Sequence, residues 1–254
     1  MIDILRTRIK QGHRTIAYPM QAVNMPDRFR GRPVIDSAKC VTDCKICADA
    51  CPTNAIIQIQ NDKPQIDLGR CLFCTDCAEA CPNGAIRYDS DYRLSANQRE
   101  DLVTTANDEA RPLVDALKKE SLRLFGHSLK LRQVSAGGCN GCESDVNVLS
   151  TITYDLGRFG IQFVASPRHA DGLLITGPVT ENMRTALLKT WDAVPTPKIV
   201  IAVGACAISG GPFIDHPEVN NGVGNLLPVD LYIPGCPPHP MTILDGLLRL
   251  LARI

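Results

Sequence analysis

The chain has 254 residues, 44% of them hydrophobic, and a formal net charge of zero, which is enough material for one ordinary core and a small second unit. Neutrality argues against a nucleic-acid binder, and no apolar stretch approaches the roughly 20 residues needed to cross a bilayer. No short apolar signal core or twin-arginine pair precedes the first cysteine. Twelve cysteines escape pairing as disulfides only in a reducing compartment, so the expectation is a cytoplasmic protein and not a secreted disulfide scaffold.

Residues 1–33 form a locally basic arm, with seven Lys or Arg against Asp3 and Asp27. Ile2, Leu5 and Ile9 fall at helical spacing with Arg6, Arg8 and Lys10 between them, which suits either a plain surface helix or one that docks on membrane subunits. Cys40, Cys44, Cys47 and Cys51 follow, then Cys71, Cys74, Cys77 and Cys81, each group closed by a proline, Pro52 or Pro82. That run wraps a [4Fe-4S] cluster. Paired C-x2-C motifs also make zinc knuckles, but zinc sites set two pairs apart by a longer loop, and here four cysteines crowd into one short run.

Residues 34–88 contain an internal repeat. Cys44, Cys47, Cys51, Pro52, Ala55 and Ile56 recur 30 residues later as Cys74, Cys77, Cys81, Pro82, Ala85 and Ile86, while Ile35, Asp36, Lys39 and Cys40 recur 31 residues later as Ile66, Asp67, Arg70 and Cys71. One extra residue therefore lies between Cys40 and Cys44. Short β-branched segments at Ile56 to Ile59 and Ile86 to Tyr88 predict small strands flanking the cysteines. The stretch resembles the bacterial-type double [4Fe-4S] ferredoxins, in which the fourth cysteine of each run serves the opposite cluster. The resemblance assigns Cys40, Cys44, Cys47 and Cys81 to cluster 1, and Cys71, Cys74, Cys77 and Cys51 to cluster 2. A unit this small buries little apolar surface, so its metal must also hold it folded.

Residues 93–127 read as a polar helical connector, interrupted near Pro112 and ended by Gly126. Apolar runs then appear at Leu129 to Val134, Ile161 to Ala165, Gly172 to Thr176, Ile199 to Val203 and Val229 to Ile233, alternating with helical stretches at Glu181 to Trp191 and Met241 to Ile254. The expected architecture is an α+β double-cluster ferredoxin domain over 34–92, followed by an α/β domain over 128–254 with a mostly parallel, flavodoxin-like sheet. Cys139 and Cys142, Cys206 and Cys236 each follow one of these runs, at the carboxyl ends of strands, where open α/β sheets bind ligands. Glycines beside them allow close approach to inorganic sulfide. These four make a candidate cluster 3.

The segments Gly138-Cys139-Asn140-Gly141-Cys142-Glu143, Gly204-Ala205-Cys206 and Pro234-Gly235-Cys236-Pro237-Pro238, with Ser166-Pro167-Arg168-His169-Ala170-Asp171, resemble the small subunit of [NiFe] hydrogenases and the related quinone-side subunit of respiratory complex I. The C-x2-C spacing at Cys139 is the hydrogenase form, and the short tail after Cys236 suits the one-cluster small subunit of energy-converting hydrogenases and formate hydrogenlyase. The arm segments Gln11 to Thr15, Tyr18-Pro19 and Phe29 to Pro33 resemble the two-cluster ferredoxin subunit of the same complexes, so the chain reads as a fusion of the two.

The resemblance implies an electron-transfer subunit with three [4Fe-4S] clusters, peripheral on the cytoplasmic face of the membrane. Its expected partners are a [NiFe] hydrogenase-type large subunit, membrane-embedded ion-translocating subunits, and a ferredoxin, formate or carbon monoxide dehydrogenase module as donor. All twelve cysteines being spoken for, a nickel-iron centre belongs to the partner. Gly222 and Gly224 are followed by Leu227 where a G-x-G-x-x-G loop needs a third glycine, so no flavin or nicotinamide is expected. Glu143, beside a cluster ligand, is implied to pass protons, although a helix dipole also favours an acid near a helix start. His239 is expected to face solvent or to bond a sulfide, and His169 to lie at the partner interface or serve structure. The competing expectations are a complex I-like quinone oxidoreductase, a relative whose large subunit lacks nickel, and a non-redox module with structural zinc.

Overall fold

The structure is a computed structural model that describes residues 2–41, 43–58, 63–105, 113–117, 119–125 and 127–254. Helix α1 (Ile2–Gln11) starts with Asp3 and ends with Arg8 and Lys10, the polarity a helix dipole favours, and none of its residues is buried. The arm then crosses the second unit without helix or strand. Ile16 donates its amide to the Thr153 carbonyl (2.9 Å), and the Tyr18 hydroxyl donates to Asp245 Oδ1 (2.7 Å) in the interior.

The cysteine-rich unit contains β1 (Pro33–Ile35), α2 (Ile46–Asp49), β2 (Ile56–Gln58), β3 (Pro64–Asp67), α3 (Asp76–Ala80), β4 (Ile86–Tyr88) and β5 (Val103–Thr104). Strand β1 pairs antiparallel with β4, and β3 lies between β2 and β5. The repeat reappears in the turns that lead to each cysteine run. Asp36 accepts the Ala38 amide (3.1 Å), and Asp67 accepts the Gly69 amide (2.8 Å). The end expected for β2 at Ile59 lies outside the described residues.

The connector differs from the helical expectation. Among its described residues it is α-helical only at α4 (Lys119–Phe125), while Glu100–Leu102 form a single 3-10 turn that runs into β5; Pro112 and Gly126 lie outside the described residues. Leu102 and Thr104 are both buried and point inward, an alternation that favours a strand beside β3 over a polar helix. Earlier in the connector, Ala96 exchanges both backbone hydrogen bonds with Tyr232 (3.0 and 2.8 Å). It thus ties the two units together.

The second unit runs β6 (Leu129–Ser135), α5 (Gly141–Val148), β7 (Ile161–Phe163), β8 (Gly172–Thr176), α6 (Glu181–Ala193), β9 (Ile199–Val203), α7 (Ala205–Ser209), β10 (Leu231–Ile233) and α8 (Pro240–Leu250). The sheet order is β10-β9-β8-β6-β7 with every pair parallel. Counted within the unit this is the flavodoxin-like 2-1-3-4-5 order, whose ligand crevice opens between β6 and β8. Strands β8 and β9 are buried throughout, as continuous apolar runs with helices on both faces should be. No helix among the described residues is long and apolar enough to cross a membrane.

One core cluster is shared by the two units, uniting Ile66, Leu68 and Leu102 with Leu173, Ile175 and Ile208. At this seam a Cβ on Gly69 would sit 2.7 Å from Arg99 Cζ and 2.8 Å from Ile208 Cγ2, so the loop before Cys71 is pressed onto α7. Ser209 Oγ donates to the Gly69 carbonyl (2.8 Å). Arg99 grips the buried Asp67 carboxylate with two bonds of 2.8 and 2.6 Å. Arg99→Ala leaves that carboxylate with Arg70 at 3.7 Å and the Gly69 amide. Denaturant unfolding of the iron-loaded chain is expected to show a loss of about 3 kcal/mol; a loss below about 1 kcal/mol, the value of a surface pair, would mean that the seam does not depend on this contact.

Candidate metal centres

Helices α2 and α3 place Cys47 and Cys77 at equivalent positions, and both are buried. Burial first, then the neighbouring Cys40, Cys77, Cys44 and Cys81, push the Cys47 thiol up to about 11. Cys40 is likewise raised by burial and then by Cys81 and Cys44. In the other set, Cys71 is pushed up to about 12 by burial, with Cys77 and Cys51 as its sulfur neighbours, and Cys74 and Cys77 each feel Cys51. The fourth cysteine of each run therefore lies among the first three of the other. Each of these fourth sulfurs accepts an amide four residues on: Ala55 to Cys51 (3.2 Å) and Ala85 to Cys81 (3.3 Å). Cys71 also accepts the Phe73 amide at 3.3 Å.

The last four cysteines meet at the carboxyl end of the parallel sheet. Cys139 and Cys142 flank the start of α5, where Asn140 takes a left-handed conformation (φ 71°) that swings the chain from loop to helix. Cys206 is buried in α7, and Cys236 is exposed in the loop between β10 and α8. A cavity of about 90 Å³ lies among the four, lined also by Gly138, Glu143 and Gly177. Gly204 has φ +89°, and a Cβ there would come 2.5 Å from Cys142 Sγ, so only glycine leaves the sulfur its place. Burial and then Cys236 and Cys139 push Cys206 up to about 12, and Cys142 is raised by burial, Cys206, Glu143, Cys236 and Cys139.

Four thiols around a cavity, with glycines where side chains would intrude, fit an iron-sulfur cluster. Each thiolate of such a cluster binds its own iron, so the sulfurs stand wider apart than ligands of one ion. Among the described residues no three His, Cys, Asp or Glu are arranged to hold a single metal ion. A zinc site would need four donors within about 2.3 Å of one centre.

Glu143 is buried in the first turn of α5, and its Oε1 accepts from Ser135 Oγ and Thr176 Oγ1, both at 2.6 Å. Burial alone would raise its carboxyl, but these two bonds hold it below the usual carboxylate range. The carboxylate thus joins the ends of β6 and β8 at the crevice. His239 does not face solvent as expected: it is half-buried, its ring meets Phe29 edge-on at 5.3 Å, and its Nδ1 accepts the Met241 amide (3.1 Å) to cap α8. Burial lowers its pKa. His169 is exposed on a 3-10 turn.

Two features were not anticipated. The Tyr88 hydroxyl reaches Cys77 Sγ (3.6 Å) and Cys71 Sγ (4.0 Å); the repeat sets Tyr88 opposite Gln58, a mismatch that was there to be read. A groove of about 590 Å³ also runs between the arm and the loops bearing Cys74 and Cys236. Arg30 closes it on one side by donating to the Phe73 and Cys74 carbonyls (3.1 and 3.2 Å).

Residues 39–85 match the 4Fe-4S dicluster domain, and residues 139–250 match the family described as NADH ubiquinone oxidoreductase, 20 Kd subunit. The probable membrane-bound hydrogenase subunit mbhJ of Pyrococcus furiosus is 38% identical over 148 residues, 58% of this chain and 89% of that one. The chain belongs to the 20 Kd subunit family. Formate hydrogenlyase subunit 7 of Escherichia coli is 46% identical over 133 residues, 52% of each chain, so the match spans about half of that relative. An NADH-quinone oxidoreductase subunit of Clostridium beijerinckii is 46% identical over 114 residues, 44% of this chain and 68% of that one. As a 20 Kd family member joined to a dicluster stretch, the chain is an iron-sulfur, electron-transferring and non-catalytic subunit of an oxidoreductase complex.

Gly204→Ala should displace Cys142 and empty the third site alone. Iron analysis is expected to fall by about four per chain, the content of one cluster. An unchanged count would show that the Gly204 contact does not shape the site.

Proposed function

We propose that the chain relays single electrons through three [4Fe-4S] clusters to or from the catalytic large subunit of a membrane-associated, multi-subunit [NiFe] hydrogenase. The clusters are assigned to Cys40, Cys44, Cys47 and Cys81; to Cys51, Cys71, Cys74 and Cys77; and to Cys139, Cys142, Cys206 and Cys236. The observation that carries this is the continuity of sulfur neighbours. Cys47 lies within electrostatic reach of Cys77, and Cys236 within reach of Cys74. The second set therefore stands between the first and the third.

Exposure supports the same order of stations. Cys71 and Cys77 of the middle set are buried, whereas Cys139 and Cys236 are exposed at one end. At the other end Val41 and Ile46, beside the first set, are 56% and 46% exposed, an apolar surface on which a ferredoxin, formate or carbon monoxide dehydrogenase module can dock. The large subunit is placed over Cys139 and Cys236, with the nickel-iron centre on its side. The names of the Pyrococcus furiosus and Escherichia coli relatives, a membrane-bound hydrogenase subunit and a formate hydrogenlyase subunit, and the C-x2-C spacing at Cys139 support this partner. The words membrane-bound in the first name support a membrane-associated complex, to which we assign membrane-embedded ion-translocating subunits, with this chain peripheral on the cytoplasmic face. Proton passage at Glu143 is assigned to the carboxylate that ties β6 to β8 beside Cys142. The Clostridium beijerinckii relative favours a second reading, in which the third cluster serves a quinone in a complex I-like enzyme.

Anaerobically prepared protein should contain about twelve irons and show three reducible centres. Cys51→Ser is expected to alter the centre of the second set and Cys81→Ser that of the first. Zinc in place of iron, or fewer than two reducible centres, would overturn the relay.

A further inference from the structure

Tyr88 sits on β4, held by its pairing with Pro33 of β1. Its ring packs against Phe73, with centroids 6.4 Å apart and planes tilted by 56°. Both sulfurs that its hydroxyl reaches, Cys77 at 3.6 Å and Cys71 at 4.0 Å, belong to the middle set. Between a thiol and a phenol either partner can donate. Once the sulfurs ligate iron as thiolates they carry no proton, and only the phenol can donate.

Resting on the relay proposed above, we propose that the Tyr88 hydroxyl donates to the Cys77 thiolate and raises the reduction potential of the middle cluster above the value it would otherwise have. Adding one electron increases the negative charge carried by the cluster and its sulfurs. A fixed donor stabilises the reduced state more than the oxidised one, and hydrogen bonds to sulfur are one of the means by which a protein sets cluster potential. A phenol ordinarily loses its proton only at about pH 10, so the donor carries it at neutral pH. The repeat has Gln58 at the corresponding place in its first half, so the tyrosine is built into one side only. The middle station thereby holds an electron more readily than it would without the hydroxyl.

The test is an EPR-monitored redox titration of the whole iron-loaded chain, unsubstituted and as Tyr88→Phe and Tyr88→Leu, with the middle signal assigned through Cys51→Ser. Tyr88→Phe keeps the ring and is expected to keep the full iron content. Its middle centre should become harder to reduce by roughly tenfold in equilibrium, about 59 mV for one electron, while the other two stay in place. Tyr88→Leu should shift the same centre in the same direction and by a similar amount, assigning the effect to the hydroxyl. An unmoved middle centre, a shift in Tyr88→Leu alone, or iron loss in Tyr88→Phe would overturn the proposal, the last by making Tyr88 a structural support. Fewer than two reducible centres in the unsubstituted chain would bring down the relay itself, a separate failure.

Discussion

A cysteine that ligates iron must lose its water and its proton while facing three others that have done the same. Burial and mutual repulsion both resist this, and each set shows the opposition in its raised thiols. Iron supplies the compensating positive charge, and binding it releases the protons. In the second unit the flavodoxin-like sheet brings the loops after β6, β9 and β10 to one end, where their glycines leave a cavity. The cysteine-rich unit has too little apolar surface to hold its loops that way alone. It leans on its neighbour.

That support is visible at the seam. Leu68 and Leu102 of the first unit share a core with Leu173 and Ile208 of the second, and Ser209 bonds the Gly69 carbonyl two residues before Cys71. The arm adds a further tie, since Tyr18 reaches Asp245 in α8 while Arg30 holds the carbonyls of Phe73 and Cys74. These contacts set the loop of Cys74 beside that of Cys236. Electron transfer depends steeply on such closeness, so the packing that stabilises the fold also fixes the path.

Much of this could be read in the sequence because the chemistry is local. The cysteine runs, their 30-residue repeat and the apolar runs of β8 and β9 give their own limits. What escaped was set by partners far along the chain. Residues 100–104 look polar and helical, yet the helix stops after one 3-10 turn and β3 recruits Val103 and Thr104 as a strand, with Leu102 and Thr104 buried beside it. Helices α5 and α7 begin within the cysteine motifs themselves, where glycine signals loop. His239 reads as solvent-facing in the sequence because Phe29, which covers it, lies 210 positions earlier.

The central claim is an ordered line of three centres with the Cys51 set in the middle. Measuring the spin coupling between reduced clusters by EPR tests it most directly, because magnetic coupling falls quickly with separation. The middle centre should be coupled to both of the others, and the Cys40 and Cys139 sets should show the weakest coupling to each other. Direct strong coupling between those two, or a third centre coupled to neither, would contradict the order.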